Sequence, residues 1–123
     1  MEYQGFRDLK VYNLSYKMAM EIYKITTTFP IGEKYSLVDQ IRRSSRSIVA
    51  NICEAWMKRK YEKTFIAKLY DCYGEAGEAQ VWLDMSKDLG YIDEKTYKYL
   101  SNHYTEIIKM IWGMIQKPEK FCH

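Results

Sequence analysis

In four successive stretches, apolar side chains recur at alternating three- and four-residue steps, the spacing that gathers them on one face of an α-helix. The first stretch carries Val11, Leu14, Met18, Ile22 and Ile25, and the second Leu37, Ile41, Ser44, Ile48, Ile52 and Ala55. Phe65, Leu69, Cys72, Ala76, Ala79 and Leu83 form the third row, and Tyr97, Leu100, Tyr104, Ile107, Ile111 and Met114 the fourth. The breaks between them carry stop and start signals. Phe29-Pro30-Ile31-Gly32 ends the first helix, because proline disfavours helix in the residue before it. Ser36 can cap the second with its hydroxyl, and Asp39 in its first turn complements the helix dipole. Leu89-Gly90 offers a glycine stop to the third, Asp93 an N-cap to the fourth, and Pro118 ends the pattern. The spacing predicts helices over residues 7–28, 36–59, 61–89 and 94–117. Helices joined by short loops pack as antiparallel neighbours. The expected fold class is therefore all-α, an antiparallel up-down-up-down four-helix bundle forming a single domain over residues 1–123.

Composition agrees with that expectation. A chain of 123 residues suits one core, and 6 Gly with 2 Pro leave little turn chemistry for a sheet. Leu14, Ile22, Ile41, Ile48, Ile52, Leu69, Leu83, Leu100 and Ile111 are the expected core. Two helices are more apolar than one buried face requires. Leu9, Tyr12, Tyr16, Ala19 and Tyr23 make a second row on the first, while Ile108, Trp112 and Ile115 widen the fourth. With 12 Tyr and 3 Trp, such faces suit half-buried contact with another subunit, so a homo-oligomer is expected. Cys53, Cys72 and Cys122 show no CxxC spacing, which points to neither a disulfide framework nor a zinc site. Cys53 and Cys72 are expected as small buried packing residues. No apolar run approaches the roughly 20 residues of a membrane span. Met1-Glu2-Tyr3-Gln4-Gly5 lacks the basic and apolar parts of a signal peptide. A cytoplasmic protein without a membrane partner is expected.

The polar positions then narrow the chemistry. Arg43, Ser47, Asn51 and Glu54 share one face of the second helix, and Glu75 and Glu78 stand three apart on the third beside Gly74 and Gly77. An arginine facing these carboxylates could hydrogen-bond to both across the helix pair. One reading is a ligand or active site built from Arg43, Asn51, Glu54 and Glu78. The other, preferred, is a structural polar network of Arg43, Ser47, Asn51, Glu54, Glu75 and Glu78 that fixes helix register. Catalysis wants a nucleophile beside a base, or carboxylates with histidines around a metal. The Glu-x-x-His signature of di-metal bundles is absent, and so is a glycine-rich phosphate loop. His103 is expected on the solvated side of the fourth helix, and His123 is terminal. No catalytic residue, metal site or cofactor is expected.

Charge supplies the better lead. The chain carries a formal net charge of +3, and the segment from Glu33 to Lys63 concentrates it, with eight cations against four carboxylates. Arg42, Arg46, Lys58, Arg59, Lys60 and Lys63 are the candidate nucleic-acid-binding residues. Lys58-Arg59-Lys60 stands at the turn between the second and third helices, flanked by Trp56 and Tyr61. Cations can hold phosphates while a ring stacks on an unpaired base. A charge run at a helix end is equally a solvated cap favoured by the dipole.

Several segments resemble a known family. Phe6-Arg7-Asp8-Leu9-Lys10-Val11-Tyr12 is similar to the F-x-x-L-x-V-W opening of bacterial four-helix-bundle proteins related to those encoded in intervening sequences of the large-subunit ribosomal RNA gene, often described as ribosomal-protein-like. Ile22-Tyr23, Phe29-Pro30, Glu33, Leu37 and Gln40-Ile41-Arg42-Arg43 continue the likeness. Ser47-Ile48-Val49-Ala50-Asn51-Ile52-Cys53-Glu54-Ala55 resembles the S-I-x-x-N-I-A-E-G segment, Gly74 and Glu78 a G-S-x-x-E element, and Leu89-Gly90-Tyr91 an L-G-Y ending. Ala55 stands where glycine is usual and Glu75 where serine is usual, and Glu54-Ala55-Trp56-Met57-Lys58-Arg59 resembles a variant branch with E-A-W-x-K-R. The resemblance implies a four-helix bundle assembling into a ring-like homopentamer. It is also distantly similar to the accessory proteins of diversity-generating retroelements, which bind nucleic acid and a reverse transcriptase. The expected function is that of a non-enzymatic homo-oligomer binding nucleic acid, RNA before DNA, through basic helix-end residues. The alternative is an interaction scaffold that docks another protein and binds no nucleic acid.

Overall fold

The apolar stripes close on one another in the computed structural model, which describes residues 3–123. Met1 and Glu2 of the opening segment lie outside the described residues. Helix α1 spans Lys10–Thr26, α2 Leu37–Met57, α3 Glu62–Asp88 and α4 Glu94–Gln116, with no strand among the described residues. Each helix packs on its two neighbours in the circuit α1–α2–α3–α4–α1, and the diagonal pairs do not pack. The result is an antiparallel four-helix bundle. Its α2–α3 seam is the most extensive and its α1–α4 seam the least.

Of the residues expected in the core, all but Leu14 are buried. Leu14 and Ile25 are half-buried at the edge of the core. The face that α1 turns inward runs instead through Val11, Ser15, Met18, Ile22 and Thr26. Two small polar residues lie on it: Thr26 satisfies its hydroxyl on the Ile22 carbonyl at 2.7 Å, whereas the buried Ser15 hydroxyl has no hydrogen-bond partner within the chain. Cys72 is buried as expected, whereas Cys53 is half-buried. Burial pushes the Cys72 thiol up to about 12.

The helix ends refine the expected boundaries. Residues Phe6–Asp8 form a short 3-10 turn rather than the first turn of α1, and Leu9 is extended. The Asp8 carboxylate accepts from the Gln4 and Gly5 N–H groups at 2.8 and 3.2 Å, closing that turn as a separate unit. Ser36 occupies the N-cap position of α2 but does not cap it. Its hydroxyl donates to Glu33 at 2.6 Å, and Glu33 also accepts the Tyr91 hydroxyl at 2.8 Å. These bonds clasp the α1–α2 loop to the α3–α4 loop, hold the Glu33 carboxyl below its ordinary range and raise the Tyr91 phenol. Asp93 does cap α4, accepting the Thr96 N–H at 2.7 Å. Gly90 ends α3 with φ +80, the left-handed turn that glycine adopts without a Cβ clash. The Gly90 and Tyr91 N–H groups there bond the Lys87 and Ser86 carbonyls, both at 2.9 Å.

Candidate nucleic-acid interface

Helix α2 carries Arg42 and Arg46 one turn apart, so both project on the same side. The α1–α2 loop brings Lys34 and Tyr35 beside them. Together with Val38, Asp39, Arg43, Ser47 and Ala50 they line an open concave surface of about 640 Å³. Asp39 is the one carboxylate in that lining. Tyr35 is 84% exposed, and the Lys34 ammonium lies 5.3 Å from its ring centroid. Lys34 and Arg46 make no ion pair among the described residues and are exposed. Arg42 is anchored: its Nε donates to the Thr26 hydroxyl at 2.9 Å, and its guanidinium lies 4.6 Å from the Tyr23 ring. That anchor holds one cation of the concave surface on the α1–α2 seam and reduces the side-chain entropy lost on meeting a phosphate.

The cations at the α2–α3 turn form a second group, about 18 Å along α2 from Arg46 at 1.5 Å per residue. Lys58 is paired to Glu54 at 2.8 Å. Arg59 folds back on Trp56, its guanidinium 4.0 Å from the ring and its Nη1 donating to the Trp56 carbonyl at 3.0 Å. Lys60 and Lys63 are exposed and unpaired among the described residues, next to the exposed ring of Tyr61. The six sequence candidates are thus divided between two surfaces. Lys34 and Tyr35, which complete the first, were not among them. Their signal is a lysine-tyrosine pair in the loop just before a helix whose first exposed face is basic.

The polar network also divides. Arg43 donates one nitrogen to Glu75 at 2.9 Å and another to Glu78 at 2.6 Å, bridging α2 to α3. Glu78 in turn accepts the Trp82 indole N–H at 3.2 Å. The two carboxylates raise the Arg43 guanidinium further, Glu75 most strongly. Asn51 donates to Ser47 at 3.0 Å, apart from that bridge. Glu54 sits between Lys58 and Lys68, whose hydrogen bonds lower its carboxyl, and Lys68 was not anticipated as a partner. Arg43 is 52% exposed, so the bridge lies at the rim of the seam rather than in the core. His103 is half-buried, not solvated, with its ring edge-on to Tyr99 at 4.7 Å and its Nδ1 3.3 Å from Glu106. Among the described residues no group of three or more His, Cys, Asp and Glu is placed to hold a metal ion. No helix among them is long and apolar enough to cross a membrane.

The outer row of α1 is exposed at Tyr16, Met20 and Tyr23, and with Ala19, Val49 and Ala50 it lines an apolar groove of about 430 Å³. Arg46 and Ala50 border both this groove and the basic surface. On the opposite side Trp112 packs its ring 5.7 Å from Tyr73, both partly exposed, whereas Leu9 and Ile115 are buried.

The fold and these surfaces define a small all-α four-helix-bundle protein. The chain belongs to the family of 23S rRNA-intervening sequence proteins, whose model matches residues 7–113. It is similar to a crystal structure of a protein of unknown function from the S23 ribosomal protein family of Bacteroides thetaiotaomicron, with 32% identity and a TM-score of 0.79. That likeness covers 86% of this chain and 95% of the other. No curated protein matches the chain.

Proposed function

We propose that the protein is a non-enzymatic homo-oligomer that binds RNA through the basic concave surface of α2. The observation that carries this reading is the convergence of Lys34, Arg42 and Arg46 around one concavity with the open ring of Tyr35. Cations hold phosphates and release counterions, and a free aromatic face accepts an unpaired base. Lys60 and Lys63 at the α2–α3 turn extend the contact, while Lys58 and Arg59 are engaged within the chain. The family's name ties it to ribosomal RNA genes, which makes RNA the first ligand to test. Self-association draws on the exposed Tyr16, Met20 and Tyr23 row, with a pentamer first because of the family resemblance. A ring repeats the basic surface and multiplies its affinity for one polymer.

Fluorescence anisotropy with single-stranded RNA across a salt series, with sedimentation for assembly, tests the reading. Lys34→Gln with Arg46→Gln should weaken binding about tenfold or more and reduce the salt slope by about 2, since each lost phosphate contact removes about one. The loss should be similar across sequences, because phosphate contacts carry no base information. Lys60→Gln with Lys63→Gln should have the smaller effect. Wild-type protein without RNA affinity at low salt overturns the reading and leaves a protein-docking scaffold, for which the α1–α2 apolar groove is the starting surface.

A further inference from the structure

The α1–α4 seam opens, where α1 begins and α4 ends, into a groove of about 490 Å³. Its floor is apolar, made by Leu9, Val11, Met110 and Met114. Its rim is basic: Lys10, Lys117 and Lys120 are all exposed, no carboxylate lines the groove, and none of the three is ion-paired among the described residues. Gly113 opens the wall. Glycine inside a helix weakens it, and only a need for space or for unusual backbone compensates. Here the backbone is ordinary helix, and a Cβ at Gly113, as at the other five glycines, would meet nothing within 4 Å, so the position is open to solvent and to a partner. Gly113 is part of the groove lining.

We propose that this groove docks an acidic amphipathic helix of another protein. Apolar side chains one helical turn apart would lie on the Leu9–Met114 floor, and the flanking carboxylates would pair with Lys10, Lys117 and Lys120. The trough between two antiparallel helices matches an elongated occupant, and the absence of a side chain at Gly113 admits its backbone closely. RNA fits this surface less well, because both rings that line it are engaged within the chain: Phe121 is buried between Tyr3 and Phe65, and half-buried Tyr3 stacks on Phe121 and meets Trp56 edge-on. The surface lies on a different seam from the basic concavity of α2, so the two proposals stand independently.

The probe is a fluorescein-labelled peptide of repeated Glu-Leu-Leu-Glu blocks, with its Lys-Leu-Leu-Lys counterpart as control, added to the full-length protein. The acidic peptide should bind and shift the methyl NMR signals of Met110 and Met114 but not those of Met20 or Met57. Gly113→Leu should reduce its affinity at least tenfold with circular dichroism unchanged and the melting temperature equal or higher. Lys10→Gln, Lys117→Gln and Lys120→Gln together, all at exposed positions, should weaken it several-fold and flatten its salt dependence with circular dichroism unchanged. Equal binding of both peptides, or acidic-peptide binding untouched by Gly113→Leu, overturns the proposal. So does a triple variant that loses RNA binding or self-association while the acidic peptide never binds, since the groove then serves another occupant.

Discussion

Two seams of one bundle are held in different ways. Between α2 and α3, large buried side chains such as Ile48, Ile52, Phe65 and Leu69 fill the interior, and ionic bridges cross the rim from Arg43 to Glu75 and Glu78 and from Lys68 to Glu54. Between α1 and α4, no hydrogen bond or ion pair crosses among the described residues, and packing is the least extensive of the four seams. The difference teaches where rigidity and recognition reside. Interfaces that are fully packed and bridged within the chain leave nothing to offer a partner, whereas a sparsely packed helix keeps its outer side chains exposed. Helix α1 accordingly contributes to both apolar grooves, and the well-anchored α2 holds the basic concavity steady.

The largest effects should separate these seams directly. Ile48→Ala or Leu69→Ala, each opening a cavity in a fully buried site, should cost roughly 2–5 kcal/mol by chemical denaturation. Leu14→Ala, at the half-buried edge of α1, should cost about 1 kcal/mol. Equal losses would break the comparison. Arg43→Ala comes next, at about 1 kcal/mol because the guanidinium is half exposed and screened. A double-mutant cycle with Glu78→Gln should return a coupling that shrinks in high salt; no coupling would remove the rim bridge from the account. The smallest effect concerns the Asp93 cap. The Thr96 N–H lowers this carboxyl, so its stabilisation is present above the ordinary carboxylate range and is lost as pH falls through the depressed folded value. Asp93→Ala should therefore lower the thermal midpoint at neutral pH, and the gap to wild type should close in acid.

The helices were legible because core positions repeat at a helical period and Gly90 and Asp93 carry local signals that no tertiary contact overrides. Leu14 was misjudged because two stripes one residue apart, through Leu14 and through Ser15, both fit that period. Hydrophobicity favours the first, but the fold turns Ser15 inward and leaves Leu14 half-buried at the edge of the core. Ser36 failed as a cap because Glu33 competes for its hydroxyl, a contact set by the turn over Ile31–Glu33 rather than by the capping pattern. In the site, the Arg43 bridge to Glu75 and Glu78 follows from spacing alone. The engagement of Lys58 and Arg59 does not, since it depends on Glu54 and on how Trp56 turns at the end of α2. Lys34, one of the eight cations of the basic segment, and Tyr35 are not assignable to the site from sequence because a loop, having no period, gives no hint of which helix face it will adjoin.

Buried Cys72 has one more consequence. Its thiol lies on the α2–α3 seam, 3.7 Å from the Ile48 carbonyl, and is held near 12, while Cys53 and Cys122 are partly exposed. A thiol reagent must reach the sulfur, so the half-buried Cys53 and Cys122 label before Cys72, which waits until that seam opens. The chain thereby contains its own clock for breathing of the bundle, readable by mass without any probe being introduced.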